Sequence, residues 1–479
     1  YIKPILDTAP GQMIGLVPMA VSGIILTAPV GFFIGVIFAL LCRQVQDKGG
    51  KAGEGAGTVY FFESCGSAAG GMVFSFLLLR FFKTTMTAWI IAAVIFACLF
   101  LFYRSSRTAA WVSAAFFVLM AAFMGIDAFF GLNVLSYQKQ WPFGRLAAVT
   151  DSPYANIAVV ERGGQISFYQ NGVLSFTSPD CLSAEGNVHL AMLAHPDPRR
   201  VLLIGGGLGG ELNEILKYAD AQVDFVEIDA ALIEMARAYL PPKEAGVLDH
   251  PRVTVHAADA RFFVRTTNNN YDVIIVNAGD PYTSGMNRFY TLEFFGEIDR
   301  ILDLGGVLSL RVSSSENYLN DENRLFLRSI NTTLRQVFPG VRSVPGGQHS
   351  FLASNIEGRL SVDSSWMIDR LRFERIDNRF VNEHTLPFIL DERRINAVED
   401  VLSAEEGLLN TDLFPRAYLY SILLWASHFG TASRVMLDVM RIPFWAVLIS
   451  VLGVLSEIMF WIRRRRPMGC VDAAVVTTG

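Results

Sequence analysis

The chain has 479 residues, is 52% hydrophobic and only 18% charged, and carries a formal net charge of -5. Soluble domains hold about 25% charged residues, so the composition excludes a wholly soluble chain and points to a part that lies in lipid. A mildly acidic chain without a basic stripe also points away from a nucleic-acid partner.

A membrane-spanning helix needs about 20 mostly apolar residues. Four such stretches precede residue 135: about Met13 to Leu41, with Pro18 and Pro29 inside it, Val59 to Phe82, Met86 to Tyr103 and Ala109 to Gly131. Residues 1–135 are therefore read as a block of about four transmembrane helices. In the second stretch, Gly66 and Gly70 make a small-xxx-small surface that lets two helix backbones approach closely. Glu63 beside them is either a functional charge at membrane depth or an interfacial acid. The loops around Arg43, Lys48, Lys51, Arg104 and Arg107 share one side with Arg463 to Arg466. The positive-inside rule makes that side cytoplasmic and puts the soluble part outside the cytoplasm, an assignment that one miscounted helix reverses.

From about Gly144 the pattern changes. Ala155 to Val160, Gln165 to Tyr169 and Gly172 to Phe176 are short strand-like runs split by Gly163-Gly164 and Asn171-Gly172. Such dipeptides signal hairpins, so residues 140–182 are expected to form a small antiparallel β domain. Buried strands then alternate with helices: Val201 to Ile204, Gln222 to Val226, Val253 to His256, Asp272 to Val276 and Val307 to Val312. That alternation predicts a doubly wound parallel sheet over 183–400, a Rossmann-like α/β domain of the class I methyltransferase kind. Residues 401–479 read as a linker and a last transmembrane helix, about Ile442 to Ile462. The chain starts at Tyr1 without a signal peptide and reads as a portion of a longer protein.

The chemistry concentrates after the first parallel strand. Gly205-Gly-Gly-Leu-Gly-Gly210 follows it and a helix is expected to open at Glu211. Gly205, Gly207 and Gly209 let the backbone turn tightly against a ligand. Glu227, at the end of the next strand, stands 20 residues beyond Gly207, where an acid holds ribose hydroxyls. The fingerprint does not separate a nicotinamide dinucleotide from S-adenosylmethionine. The cysteines Cys42, Cys65, Cys98, Cys181 and Cys470 form no CxxC pair and the seven histidines show no HExxH spacing, so no metal site is expected.

Several motifs in order resemble the spermidine synthase (polyamine aminopropyltransferase) family. They are Ser152-Pro-Tyr-Ala-Asn156, the Asn171-Gly172 turn, the glycine loop, Glu227-Ile-Asp229, Asp259, Asn277-Ala-Gly-Asp-Pro281 and Phe289-Tyr-Thr-Leu-Glu-Phe-Phe295. The Gly/Ala-rich stretch after Tyr60 and Asn410-Thr-Asp-Leu-Phe-Pro-Arg-Ala-Tyr418 resemble the membrane-fused bacterial branch of that family. The resemblance implies decarboxylated S-adenosylmethionine, S-adenosylmethionine or methylthioadenosine as ligand. Glu227 would hold the ribose, and Asp259 with Ala260 would meet the adenine. It also implies an amine attacking the carbon beside a sulfonium, with a carboxylate taking the proton. That base, the first acid of the family's Asp-Ser-Ser-Asp-Pro, is Asn277 here, while Asp280 is kept. Loss of a general base lowers a rate by about 10²–10⁴-fold. The acid of the glycine loop, which meets the aminopropyl end, is Leu208, and the family's Tyr-Gln pair is Ser183-Ala184; Glu185 and His189 are kept. Asp259 and Asp280 also admit a second reading, as helix N-caps at strand ends.

The nucleoside half of the site is thus expected to be present and the amine half mostly absent. The reading this favours is a multi-pass protein of the bacterial inner membrane. It would be a degenerate accessory or scaffold subunit, with the lipid bilayer and other membrane proteins as partners. The alternative is an active aminopropyl- or methyltransferase. A transporter with a regulatory domain rests only on Glu63 and the proline-broken first stretch.

Overall fold

The computed structural model describes residues 14–47, 54–82, 84–103, 107–130, 137–315 and 319–427, with 449, 452–454 and 456–457. The expected helix at 442–462 and the arginine run after it lie outside these residues, apart from those last few positions.

Four helices come first: α1 (Leu16–Asp47), α2 (Glu54–Val73, continued by a π turn at Phe74–Leu78), α3 (Thr84–Tyr103) and α4 (Arg107–Phe130). Two spans, Pro18–Asp47 and Gly55–Leu78, are long and apolar enough to cross a membrane; the apolar stretches of α3 and α4, Thr85–Leu101 and Trp111–Ile126, are shorter. Helices α3 and α4 pack on each other through stacked Trp89–Phe123 and Phe96–Phe116 rings. Gly55 brings the start of α2 against α1, since a side chain there would lie 3.2 Å from the Cys42 carbonyl. Gly66 and Gly70 have no atom within 4 Å of where a side chain would start, so the close approach expected there is not made among the described residues.

The small sheet has four antiparallel strands in chain order, β1 (Arg145–Asp151), β2 (Asn156–Arg162), β3 (Gln165–Gln170) and β4 (Val173–Ser178). Gly163 and Gly164, and Asn171 and Gly172, all have positive φ, as two-residue hairpin turns require.

The seven-stranded sheet runs β10-β11-β9-β8-β5-β6-β7. Its strands are β5 (Arg200–Ile204), β6 (Gln222–Glu227), β7 (Val253–Ala257), β8 (Tyr271–Val276), β9 (Leu302–Ser313), β10 (Gly340–Val344) and β11 (Gln348–Ser354). The five from β9 to β7 are parallel. The antiparallel pair β10–β11 extends the sheet beyond what the sequence pattern marked. Alternate residues of β5 serve opposite faces: Val201 and Leu203 enter one core, Leu202 and Ile204 the other. Both faces are covered, so these strands carry nearly continuous apolar runs.

The chain after residue 400 is also bonded into this domain. Asn410 donates from Nδ2 to the Tyr290 carbonyl at 2.8 Å, and its Oδ1 accepts from Ala417 N at 3.0 Å. Asp412 accepts two hydrogen bonds from Arg261, each 2.8 Å.

Candidate functional site

In an open α/β sheet, ligands bind where neighbouring connections leave in opposite directions at the strands' carboxyl ends. Here that point lies between β5 and β8. A row of backbone hydrogen bonds lines it. Ala258 N donates to Glu227 O at 3.0 Å, Gly205 N to Val226 O at 3.0 Å, and Asn277 N to Ile204 O at 2.8 Å. The row brings Glu227, the glycine loop, Asn277 and the Ala258–Asp259 turn to one edge. Residues read separately from the sequence are thus neighbours.

The glycine loop follows the edge closely. Gly205 and Gly206 have φ of +69° and +70°, which L side chains rarely adopt. A side chain on Gly206 would collide with the Asn277 amide, only 2.0 Å away. Gly207–Gly209 is a 3₁₀ turn, and the following helix, Glu211–Ile215, is only five residues long. The helix expected to open at Glu211 does so but is short, so the loop's own amides and glycines, rather than a long helix dipole, shape this end of the site. Leu208 is buried in the core below the loop. An apolar side chain turns inward here, so position 208 offers the site no side chain.

Glu227 is half-buried, and burial raises its pKa. Its Oε1 accepts from Asp229 N at 3.1 Å. Asp229 caps the helix Ala230–Tyr239 and accepts from the Ser152 hydroxyl at 2.6 Å, which ties the Ser152–Asn156 motif to the acid strand end. Asp259 realises the capping reading: its Oδ1 accepts from Arg261 N at 3.0 Å and Phe262 N at 3.1 Å, and Arg288 pairs with Oδ2. Burial opposes the charge on Asp259, but Arg288 and the amides outweigh it and lower the pKa. Ala260 is buried beside it.

Asp280 is not a helix cap; Thr283 caps the turn at Ser284–Asn287. Asp280 instead accepts from Ser313 N at 2.7 Å and from the Tyr282 hydroxyl at 2.8 Å, joining the exits of β8 and β9. The kept Glu185 and His189 are embedded in the domain. The Glu185 carboxylate receives Arg379 N, Phe380 N and Val381 N at 2.9, 2.6 and 2.8 Å. His189 sits between the Tyr218 hydroxyl at 2.9 Å and Glu214 at 2.8 Å. Ser183 bonds Asp180, and Ala184 is buried against Gly210.

One residue that the sequence reading passed over is central. Glu211 is only 4% exposed. Its Oε1 accepts from Asn277 Nδ2 at 3.0 Å and from Asn187 Nδ2 at 2.9 Å. Asn187 Oδ1 in turn accepts from Arg311 at 2.6 Å. Gly186 makes room for that arginine, since a side chain on it would lie 2.8 Å from the guanidinium. Burial pushes the Glu211 carboxyl up to about 7, against the opposing bonds from Asn187 and Asn277. Burial likewise draws Arg311 down to about 10, with Glu211 opposing it. The signal in the sequence was an acid directly after a glycine loop, at the first position of a short helix. Among the described residues, no cluster of three or more His, Cys, Asp or Glu side chains is placed to hold a metal ion.

The family model of the spermine/spermidine synthase domain matches residues 182–345. A polyamine aminopropyltransferase of Streptococcus pneumoniae is 36% identical over 256 residues, 51% of this chain and 85% of the relative. One of Oceanobacillus iheyensis is 31% identical over 303 residues, 60% of this chain; the match spans 58% of that relative's own length. Among solved structures, a spermidine synthase from Thermotoga maritima is 24% identical with a TM-score of 0.43, covering 53% of this chain and 88% of the other.

Proposed function

The chain belongs to the spermidine synthase family, and on that premise we propose that it binds an adenosyl sulfonium nucleoside at the β5–β8 edge and transfers an alkyl group from it to an acceptor other than a diamine. The candidate donors are decarboxylated S-adenosylmethionine and S-adenosylmethionine; methylthioadenosine is the product expected from the first. The observation that supports this most is the row of backbone bonds that brings Glu227, Gly205 and Asn277 together. The positive-φ glycines keep the loop backbone tight against this edge, with Asn277 packed directly on Gly205 and Gly206. The half-buried Glu227 carboxylate, at the end of its strand, supports the reading as a partner for ribose hydroxyls.

The amine half argues for a changed acceptor. Leu208, turned into the core, and the Asn277 amide leave an ammonium without a carboxylate partner, and Arg311 adds a half-buried cation nearby. The test is label transfer from each donor to a panel of diamines, monoamines and alcohols. Transfer to a non-diamine acceptor supports the reading; efficient transfer to putrescine-like diamines contradicts it.

A second reading is a protein that binds the nucleoside without turnover and serves as an accessory subunit of a membrane complex. Asp280 favours it, since both its oxygens are already engaged within the chain. Nucleoside binding with no transfer to any acceptor, and stable co-purification with other membrane proteins, would mark this role.

We also propose that the chain is a multi-pass protein of the bacterial inner membrane and belongs to the membrane-fused branch of the family. Large apolar side chains such as Phe32, Phe61, Phe76 and Trp111 are exposed on α1 to α4. Helices apolar on every side belong in a core or in lipid. Extraction from membranes by alkali rather than by detergent would contradict the assignment.

A further inference from the structure

Among the described residues, Glu211 Oε2 has no hydrogen-bond partner, although the residue is almost fully buried. A buried, unpartnered carboxyl oxygen is costly unless something else meets it. The carboxyl lies against the glycine loop: a side chain on Gly209 would come within 3.1 Å of Oε2. Its other oxygen is held by Asn277, at the carboxyl end of β8. Glu211 therefore lies against Gly209 of the glycine loop and is bonded to Asn277, one of the two positions, with 208, where the family resemblance calls for acids and this chain has Leu208 and Asn277.

We propose, resting on the transferase reading above, that Glu211 is the acid of the acceptor side: it ionises when a sulfonium nucleoside binds and takes the proton of the attacking nucleophile. In the step, the lone pair of an amine or hydroxyl forms a bond to the carbon beside the sulfonium. The carbon–sulfur bond breaks and its electron pair goes to sulfur, leaving a neutral thioether. The proton of the nucleophile passes to the Glu211 carboxylate. Asn277 acts as a positioning residue through its bond to Oε1, and Asn187 is the second. The charged groups facing Glu211 are Arg311 on β9 and Asp180, which caps the helix Cys181–Ala194. Arg311 and the absence of acids at 208 and 277 disfavour a dication, so the acceptor class is an amine or alcohol without a second ammonium group.

The test is calorimetric binding to the purified full chain at pH 6, 7 and 8, with S-adenosylmethionine as sulfonium and S-adenosylhomocysteine, which keeps the same amino-acid tail, as its thioether counterpart. If only the ionised carboxyl favours the cation, sulfonium affinity rises about 10-fold from pH 6 to pH 8, following the ionised fraction. Thioether affinity stays flat, and Glu211→Gln flattens the sulfonium profile while it keeps the thioether bound. Thioether binding with a flat sulfonium profile, or the same rise in Glu211→Gln, overturns the proposal while the nucleoside reading survives. If Glu211→Gln does not fold, the wild-type contrast between sulfonium and thioether decides alone. Binding of neither ligand overturns the nucleoside reading and this proposal with it.

Discussion

Asn277 Nδ2 donates to Glu211 Oε1 at 3.0 Å, and Gly206 leaves the space in which it does so. The residue that stands where the resemblance places the family's base is therefore bonded to a carboxyl that the resemblance did not call for. The pair is held from both sides, by the backbone bond of Asn277 to Ile204 and by Asn187.

Gly206→Ala tests that space. The added methyl would lie 2.0 Å from the Asn277 nitrogen, at a φ of +70°. Strain and displacement together predict a loss of about 1–3 kcal/mol in unfolding free energy, and weaker nucleoside binding. Chemical denaturation of the full chain measures the first.

Glu211 predicts a pH signature. Its folded pKa is raised to about 7 from 4.5. The folded state therefore binds more protons than the unfolded one between those values, and stability falls as pH rises through that window. The effect has a ceiling of about 3 kcal/mol. Glu211→Gln removes it, so the variant gains in thermal midpoint relative to wild type at pH 8 and not at pH 4.5. An equal difference at both pH values would contradict the assignment.

Glu185 predicts a purely structural loss. Its carboxylate serves three successive amides of the 379–381 segment, and Val381 is buried. Glu185→Ala should cost about 2–4 kcal/mol and speed amide hydrogen exchange at 379–381, without a specific effect on nucleoside affinity in the folded fraction.

Arg261 joins Glu297 to Asp412 and is 7% exposed. Arg261→Met leaves both acids without this partner. The predicted loss is about 2 kcal/mol, moderated because Asp412 is partly solvated. Limited proteolysis between 403 and 415 should become faster.

What the sequence made legible follows a physical division. The parallel strands β5 to β9 are read from continuous apolar runs, because both sheet faces are covered. The two hairpins are read from Gly163-Gly164 and Asn171-Gly172, because few other residues adopt positive φ in succession. The glycine loop and Glu227 mark the proposed nucleoside edge for the same local reasons. Glu211 and Asn277 are 66 residues apart, and only the pairing of β5 with β8 makes them neighbours. The engagement of Asp280 by Ser313 depends likewise on β9 lying beside β8. The burial of Leu208 was hidden because an apolar residue in a loop signals neither its direction nor its depth. Asn410 to Tyr418 stood out as a motif, but its docking on Tyr290 and Arg261 is a tertiary fact.

On the proposed function, the β5–β8 edge binds an adenosine thioether or sulfonium through Glu227. The most direct measurement is calorimetric titration of methylthioadenosine into the wild-type full chain and into Glu227→Gln. A charged acceptor of two ribose hydroxyls predicts binding by wild type and at least about 10-fold weaker binding by the variant. No binding by wild type, or equal affinity in both proteins, would contradict it.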